Sequence, residues 1–187
     1  TSYTKSTLNN HVIVSINRLD IVKRVNEIID IAKKLKKTDW KFKLIGDGEE
    51  REHLQKQIKD LKLENTVELL GKLPNKEALD ILSESSIYVM TSITEGFAIV
   101  LIEACSVGLP CVCYEIENDL SDIIKDNENG FIIKNRNDKE FVKKLKLLME
   151  NDSKRKTFGK KSIIVTKKYT CQEITNKWLD FINRASL

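Results

Sequence analysis

One stretch of the chain contains the pattern of a strand, a loop and the first turns of a helix: Ile87-Tyr88-Val89-Met90-Thr91-Ser92-Ile93-Thr94-Glu95-Gly96-Phe97-Ala98-Ile99-Val100-Leu101-Ile102-Glu103. Its first four residues are apolar and predict a short buried strand. The residues from Ile99 predict a helix that ends near Val107, because Gly108-Leu109-Pro110 follows. Glu95 is then expected on the loop at the carboxyl end of the strand, and Glu103 over the first helical turn.

The two glutamates flank a predicted helix start, whose free N–H groups attract anions. Two acceptors beside an anion site suit a ligand that carries both hydroxyls and phosphate, such as a nucleotide sugar. The competing interpretation is a surface glutamate and a helix glutamate that lie near each other by chance. The spacing of Glu95 and Glu103 alone does not decide between them.

A basic loop near the N-terminus adds a second signal. Residues 11–16 predict a buried strand, which is followed by Asn17-Arg18-Leu19-Asp20-Ile21-Val22-Lys23-Arg24 and then by a helical pattern. Arg18, Lys23 and Arg24 would share this loop, where guanidinium and ammonium groups are suited to phosphate. The alternative is a set of solvated charges, which is common in a chain with 32 lysines and arginines.

Apolar strands alternate with amphipathic helices along the rest of the chain. This order predicts a Rossmann-like, doubly wound parallel sheet of about six strands, with helices on both faces and further helices at the C-terminus. In the commonest strand order, strands one and four are neighbours where the ligand crevice opens. The predicted strands are 11–16, 42–45, 67–70, 87–90, 111–114 and 131–133, and the predicted helices include 49–63, 75–83, 99–107, 120–125 and 139–149.

Several motifs in this order resemble the nucleotide-sugar-binding half of retaining glycosyltransferases with the GT-B architecture, of the glycosyltransferase family 4 type. The resemblance implies two Rossmann-like domains, of which residues 1–187 would be the C-terminal, donor-binding one. The N-terminal acceptor domain would lie outside this sequence. The motifs are Asn17-Arg18-Leu19-Asp20 with Lys23-Arg24, Leu44-Ile45-Gly46-Asp47-Gly48, residues 67–74, Glu95-Gly96-Phe97 through Glu103-Ala104 to Gly108-Leu109-Pro110, and Asn129-Gly130-Phe131.

The resemblance also implies a role for individual residues. Arg18 and Lys23 would contact the donor diphosphate, Glu103 the ribose hydroxyls and Glu95 the transferred sugar. The nucleobase would lie near Lys72 and Leu73. Further contacts to phosphate and sugar would come from the start of the helix, through Gly96, Phe97, Ala98, Ile99 and Val100.

The sequence departs from the family pattern at three places. The family usually has glycine where Asn17 and Ala98 stand, and Glu117-Asn118-Asp119 replaces a turn that contains glycine. Residues 121–124 still fit the pattern. These changes would alter how closely the loops approach the ligand. They would then mark a different donor sugar or weaker binding.

The length and composition of the chain indicate one domain with a small net charge. The chain has 187 residues, 41% of them hydrophobic, and a net charge of +4, which is too balanced for a nucleic-acid-binding protein. The sequence has no apolar span long enough to cross a bilayer and no signal-peptide pattern, so a cytoplasmic location is expected. A C-terminal basic cluster predicts a solvated face or, alternatively, a weak contact with anionic lipid at the inner membrane face: Lys154, Arg155, Lys156, Lys160, Lys161, Lys167 and Lys168.

Cysteine and histidine show no metal-ligand spacing, and the resemblance implies that no metal or cofactor is required. Cys105, Cys111, Cys113 and Cys171 are predicted to be reduced core thiols, and His53 to be a surface residue. Gly46-Asp47-Gly48 lacks a third glycine in register for a dinucleotide fingerprint and predicts a tight strand-to-helix turn.

Three functions remain open. The first is the donor-binding domain of a glycosyltransferase that moves a hexose or related sugar from a nucleoside diphosphate sugar, with a UDP-sugar favoured, to a glycan, lipid-linked or protein acceptor. The isolated chain would then bind donor without transferring sugar. The others are a non-catalytic nucleotide-binding domain and a nucleotide-sugar epimerase of related fold.

Overall fold

A computed structural model describes residues 4–185; residues 1–3 and 186–187 of the predicted domain lie outside the described part. Six strands form one parallel sheet in the order β3-β2-β1-β4-β5-β6. This confirms the doubly wound α/β fold, including the pairing of β1 with β4. The strands are β1 (Val12–Ile16), β2 (Lys41–Ile45), β3 (Val67–Gly71), β4 (Ile87–Met90), β5 (Cys111–Tyr114) and β6 (Gly130–Ile133).

Residues 4–185 contain seven α-helices and two short 3₁₀ turns, Lys134–Arg136 after the last strand and Lys167–Tyr169 before the last helix. The prediction of a helix over 49–63 was too long, because Lys62 adopts a left-handed φ of 54° that closes the helix early. The helices are α1 (Val25–Leu35), α2 (Arg51–Asp60), α3 (Asn75–Glu84), α4 (Ile99–Ser106), α5 (Asp138–Glu150), α6 (Asp152–Thr166) and α7 (Cys171–Ala185).

The core forms two apolar layers, because successive strand residues point to opposite faces of the sheet. Ile13 of β1 belongs to the layer covered by α1, α2 and α5. Its neighbour Val14 belongs to the layer covered by α3 and α4. Both side chains are fully buried. Because both faces of the central strands are covered, apolar residues follow one another along these strands in the sequence.

The prediction of a helix over residues 120–125 was wrong. The structure has a single turn there, in which the N–H groups of Ile123 and Ile124 both bind the Leu120 carbonyl. The Asn129 side chain accepts from the N–H of Lys125 at 2.6 Å and donates to the Ile123 carbonyl at 2.9 Å. These side-chain bonds take backbone groups that a longer helix would have used.

Two loops interlock at the carboxyl edge of the sheet. The N–H of Asn17 donates to the Ile45 carbonyl and that of Leu19 to the Asp47 carbonyl, both at 2.9 Å. Gly46 has a φ of +142°, and a Cβ there would lie 1.7 Å from the Asn17 carbonyl oxygen. The predicted tight turn after β2 is therefore present, and it supports the loop that follows β1.

The C-terminal basic cluster is not uniformly solvated. Arg155 is only 4% exposed and donates to the carbonyls of Leu8, Leu148 and Met149. The expectation of a solvated or lipid-facing Arg155 was wrong, because this guanidinium joins α5 to α6 inside the protein. Within residues 4–185, no helix has the length and apolar character needed to cross a membrane.

Candidate functional site

The site is built from two loops that follow neighbouring strands: the β1–α1 loop (residues 17–24) and the β4–α4 loop (residues 91–98). The N–H of Ile93 donates to the Val22 carbonyl at 2.9 Å. The Thr91 hydroxyl lies 3.0 Å from the carbonyls of both Lys23 and Arg24. These bonds hold the two loops side by side at the switch point of the sheet, where ligand crevices open in this fold.

Lys23 and Glu95, both predicted as site residues, form an ion pair across these loops. The Lys23 Nζ lies 2.7 Å from the Glu95 Oε2, and the two side chains are 20% and 12% exposed. The Ser92 hydroxyl donates to the other carboxylate oxygen, Glu95 Oε1, at 2.6 Å. The pair is thus largely shielded from water. Two charges attract each other more strongly in such a position than at an open surface.

Arg18 lies on the same loop but is oriented differently. Its side chain is 71% exposed, and its Nε lies 3.5 Å from Asp20 Oδ2. The other carboxylate oxygen, Asp20 Oδ1, accepts from the N–H groups of Val22 and Lys23, which shapes the loop. The structure therefore brings Lys23, but not Arg18, into contact with Glu95.

Arg24 is the last residue before α1 and has a left-handed backbone with φ of 50°. Its Nε is buried and has no hydrogen-bond partner among the residues that the structure describes. Its carbonyl accepts from Thr91, so Arg24 also takes part in joining the two loops.

The residues predicted to contact the ligand through their backbone lie at the start of α4 and just before it. Gly96 is exposed and open space surrounds the position of its missing Cβ. Phe97 is 59% exposed and packs edge-on against Tyr169 at 5.8 Å between ring centroids. Ala98 is buried with φ of 47°, a left-handed conformation that glycine adopts at lower cost. Ile99 is 62% exposed and Val100 is half-buried, so the helix begins at the surface.

Glu103 occupies a hollow on the flank of α4, with a volume of about 430 Å³. Ile99 and Ile102 line the hollow from the same helix, and Tyr169 and Thr170 line it from the segment before α7. Burial raises the pKa of the Glu103 carboxyl above its ordinary value. The two glutamates of the sequence motif thus have different surroundings, since Glu95 is ion-paired, whereas Glu103 lies in a hollow that both apolar side chains and the lysines Lys5 and Lys167 line.

Lys72 and Leu73 follow β3, at the edge of the sheet. Lys72 is exposed, and Leu73 is partly buried against the α3 and α4 layer. Two strands separate β3 from β4, so at about 4.8 Å per strand the axes of β3 and β4 lie about 14 Å apart. The structure shows no direct contact between Lys72 or Leu73 and the Lys23–Glu95 pair within residues 4–185.

Arg136 is a residue of the site that the sequence pattern did not reveal. From the turn after β6 it donates to the carbonyls of Thr91 and Ser92, at 2.7 and 3.1 Å. Its guanidinium carbon also lies 4.4 Å from the centre of the Tyr114 ring. Burial raises the pKa of Tyr114 to about 12, so the phenol under the guanidinium stays neutral even at a pH equal to its ordinary pKa of 10.0. Its position after the carboxyl end of a strand was the only signal that could have found it.

Asn118, one of the residues that depart from the family pattern, also contacts the β4–α4 loop. Its side-chain amide donates to the backbone carbonyl of Glu95. Asn17, another departure, is buried and donates to the Ser15 hydroxyl at 2.6 Å. Both residues use their side chains within the protein, which glycine could not do.

Three of the four cysteines lie in the core, and His53 lies at the surface. Cys105, Cys111 and Cys113 are free buried thiols, as predicted, but Cys171 is exposed because it begins α7, so its assignment to the core was wrong. His53 is exposed beside Glu50, which confirms the surface prediction. Among residues 4–185 no group of three His, Cys, Asp or Glu side chains is arranged to hold a metal ion, and the expectation that no metal is needed stays a prediction.

Curated relatives cover most of this chain. The "Amylovoran biosynthesis glycosyltransferase AmsD" of Erwinia amylovora is 30% identical over 91% of this chain and 48% of its own length. The "Poly(ribitol-phosphate) alpha-N-acetylglucosaminyltransferase" of Staphylococcus aureus is 33% identical over 90% of this chain and 34% of its own length. The chain therefore spans about a third to a half of these relatives.

Solved structures share the fold. A mutant of S. aureus TarM, in complex with Fondaparinux, alpha-GlcNAc-glycerol and UDP, matches with a TM-score of 0.88 and 30% identity, over 98% of this chain and 38% of that one. The pneumococcal O-GlcNAc transferase GtfA, in complex with UDP and GlcNAc, matches with a TM-score of 0.84 and 22% identity, over 98% and 38%. The latter likeness shows the fold alone.

The predicted family is confirmed by a direct match of residues 4–164 to the family described as Glycosyl transferases group 1. The six-stranded parallel sheet agrees with GT-B glycosyltransferase structures in its architecture. This chain belongs to the group 1 glycosyl transferases.

Proposed function

We propose that this chain is the donor-binding half of a retaining glycosyltransferase that moves a hexose or related sugar from a UDP-sugar to a glycan, lipid-linked or protein acceptor. The observation that carries the proposal is the Lys23–Glu95 pair, which lies where the loops after β1 and β4 meet. An ammonium group and a carboxylate thus lie side by side in the crevice of the fold, which supports a site for phosphate and for sugar hydroxyls.

The relatives support the choice of donor and of pathway. The S. aureus structure, at 30% identity, was solved with UDP, which favours UDP as the nucleotide here. The names of the Erwinia and S. aureus relatives refer to amylovoran biosynthesis and to poly(ribitol-phosphate). We therefore propose a role in the biosynthesis of a surface polysaccharide, such as a capsule or lipopolysaccharide, on the cytoplasmic side of the membrane.

In this proposal the cations stabilise the departing diphosphate. Negative charge builds on the β-phosphate as its oxygen separates from the anomeric carbon of the sugar. Lys23 would leave Glu95 for the phosphate, and the exposed Arg18 would swing from Asp20 to join it. The N–H groups from Phe97 to Val100 would complete the anion site. This arrangement needs no metal ion.

The remaining contacts would hold the rest of the donor. Glu95 would accept hydrogen bonds from the transferred sugar and Glu103 from the ribose hydroxyls. Lys72 and Leu73 would lie beside the base. The acceptor site would belong to an N-terminal domain of the longer protein, so the isolated chain would bind donor and transfer no sugar.

Calorimetric titration with UDP and with a panel of UDP-sugars tests the separate roles of the two glutamates. Glu103→Gln should weaken UDP binding by about 1–3 kcal/mol, roughly tenfold for every 1.4 kcal/mol. Glu95→Gln should not weaken UDP binding, because it removes a negative charge beside Lys23, but it should weaken binding of the UDP-sugar by a similar amount. Glu52→Gln, on the exposed face of α2, serves as the control and should change neither affinity.

The same titrations can also contradict the proposal. If both substitutions changed the affinities for UDP and UDP-sugar alike, the separate ribose and sugar roles would be abandoned. Failure of the unmodified chain to bind any nucleoside diphosphate would overturn the proposal as a whole.

A further inference from the structure

We infer that Arg136 is a positioning residue for donor recognition: it fixes the β4–α4 loop so that Glu95 faces the transferred sugar. The inference deepens the proposed function and rests on it. Arg136 lies on the turn after β6, two strands away from β4 in the sheet, and reaches across the top of β5.

The Arg136 guanidinium ends on two consecutive carbonyls of the β4–α4 loop. It donates to Thr91 at 2.7 Å and to Ser92 at 3.1 Å, and both of these residues are fully buried. Arginine presents its N–H groups in a rigid planar fork, which can hold two neighbouring acceptors in a fixed orientation. The carbonyls of Thr91 and Ser92, which directly follow β4, are therefore held by the Arg136 side chain.

The residues that Arg136 holds are the same ones that hold the Lys23–Glu95 pair. The Ser92 hydroxyl donates to the Glu95 carboxylate at 2.6 Å. The Thr91 hydroxyl is 3.0 Å from the Lys23 carbonyl. Ser92 thus holds the Glu95 carboxylate itself, whereas Thr91 contacts only the backbone of Lys23. A shift of residues 91–92 would therefore act first on the Glu95 carboxylate, to which Arg136 is connected through a single intervening residue.

The charge of Arg136 is already compensated. Its Nη2 lies 2.5 Å from the Glu27 carboxylate on α1, and the ring of Tyr114 covers its face. A guanidinium engaged by a carboxylate, two carbonyls and a ring is not a free cation for phosphate. The contacts therefore favour a role in positioning the loop over direct binding of the diphosphate.

The backbone at this turn supports the same conclusion. Asn135 and Arg136 both adopt left-handed conformations, with φ of 52° and 46°. Residues with a Cβ rarely adopt this conformation, and two in succession need compensating contacts. The contacts of Arg136 with the β4–α4 loop and Glu27 provide that compensation.

A double-mutant cycle on donor affinity tests the inference. Arg136→Lys keeps the charge opposite Glu27 but loses the planar fork. It should lower the affinity for the preferred UDP-sugar about fivefold to tenfold, while the affinity for UDP stays within about twofold. In the Glu95→Gln background, Arg136→Lys should cause no further loss, because a positioning residue acts only through the group that it positions.

Two further variants separate positioning from general destabilisation. Arg155→Lys alters another guanidinium that binds backbone carbonyls, between α5 and α6. It should lower the denaturation midpoint without changing the ratio of UDP-sugar to UDP affinity. If Arg136→Lys does not fold, the double substitution of Arg136 and Glu27 to Met removes both charges together and is measured in the same cycle.

The outcomes are distinguishable. Equal losses for UDP and UDP-sugar, no loss for either, or an additive loss in the Glu95→Gln background would overturn the role of Arg136. In each of these cases a selective loss of UDP-sugar binding in Glu95→Gln alone leaves the proposed function standing. If Glu95→Gln alone has no effect on UDP-sugar affinity, the proposed function fails first.

Discussion

The ionisation of the Glu103 carboxyl costs the folded chain stability, because the group is half-buried. The carboxyl lies beside Ile99 and Ile102, and burial raises its pKa above the ordinary value. The folded chain therefore holds the proton more tightly than the unfolded chain does. The stabilisation from the protonated form is fully present below the ordinary pKa and is lost as the pH rises through the raised pKa.

Glu103→Gln should therefore stabilise the ligand-free chain at pH 7, because the amide cannot ionise. The gain in melting temperature should shrink toward zero as the pH is lowered below 4.5, the ordinary value for the group. Thermal unfolding at several pH values measures the difference, with Glu52→Gln as the exposed control. A stability difference that is independent of pH would contradict the assigned cause of the raised pKa.

At the scale of elements, the turn after β2 supports the β1–α1 loop through a contact that only glycine allows. Gly46→Ala would place a Cβ 1.7 Å from the backbone oxygen of Asn17, and at a φ of +142°. Because the obstacle is backbone, no side-chain rotation relieves it. We expect a loss of about 3 kcal/mol or more in the free energy of unfolding, the upper end for single substitutions.

Gly96→Ala is the matched control for this substitution. Gly96 has an ordinary φ and nothing within 4 Å of the added Cβ, so its unfolding free energy should change by less than about 0.5 kcal/mol. Urea denaturation compares the two variants. A Gly46→Ala chain as stable as Gly96→Ala would show that the two loops are not in close contact.

The strands and helices were predictable from the sequence where the spacing of apolar residues alone determines them. Continuous apolar runs located all six strands within one residue at each end, and their alternation with helices predicted the parallel sheet. The adjacency of strands one and four came from the commonest strand order of this fold. The run from Leu120 to Lys125 also has helical spacing, but Asn129 takes its backbone groups from outside the window. The spacing of apolar residues in 120–125 cannot show a hydrogen bond that comes from a side chain later in the sequence.

The site was predictable to a similar extent. Lys23 and Glu95 follow strands one and four, and the topology that pairs these strands brings the two side chains into contact. The sequence could not show that Arg18 pairs with Asp20 or that Arg136 binds carbonyls at the end of β4. Contacts with backbone carbonyls depend on loop geometry, and any residue type offers the same acceptor.

At the scale of the whole molecule, the last helix stands apart from the core. The family match ends at residue 164, before α7 begins. Trp178 and Phe181 of α7 are 61% and 63% exposed. An apolar face this exposed is typical of surfaces that contact another molecule, in a chain that spans about a third to a half of its relatives.

The lysines near the C-terminus are partly engaged within the chain. Lys156 pairs with Asp152, Lys161 with Glu128 and Lys168 with Asp122. These pairs reduce the positive charge available to anionic lipid. A weak contact with a membrane surface stays a prediction, with fewer cations to support it than the sequence indicates.

The crevice between the β1–α1 and β4–α4 loops is proposed to bind a nucleoside diphosphate, and calorimetric titration of the chain with UDP and with uridine tests this binding. We expect Lys23→Ala to weaken UDP binding by roughly 1.5–3 kcal/mol and hardly to change uridine binding, because the lost contact is with phosphate. Lys56→Ala, in an exposed pair with Asp60 on α2, should change neither. Equal losses for UDP and uridine, or no binding of UDP by the unmodified chain, would rule out a diphosphate site in this crevice.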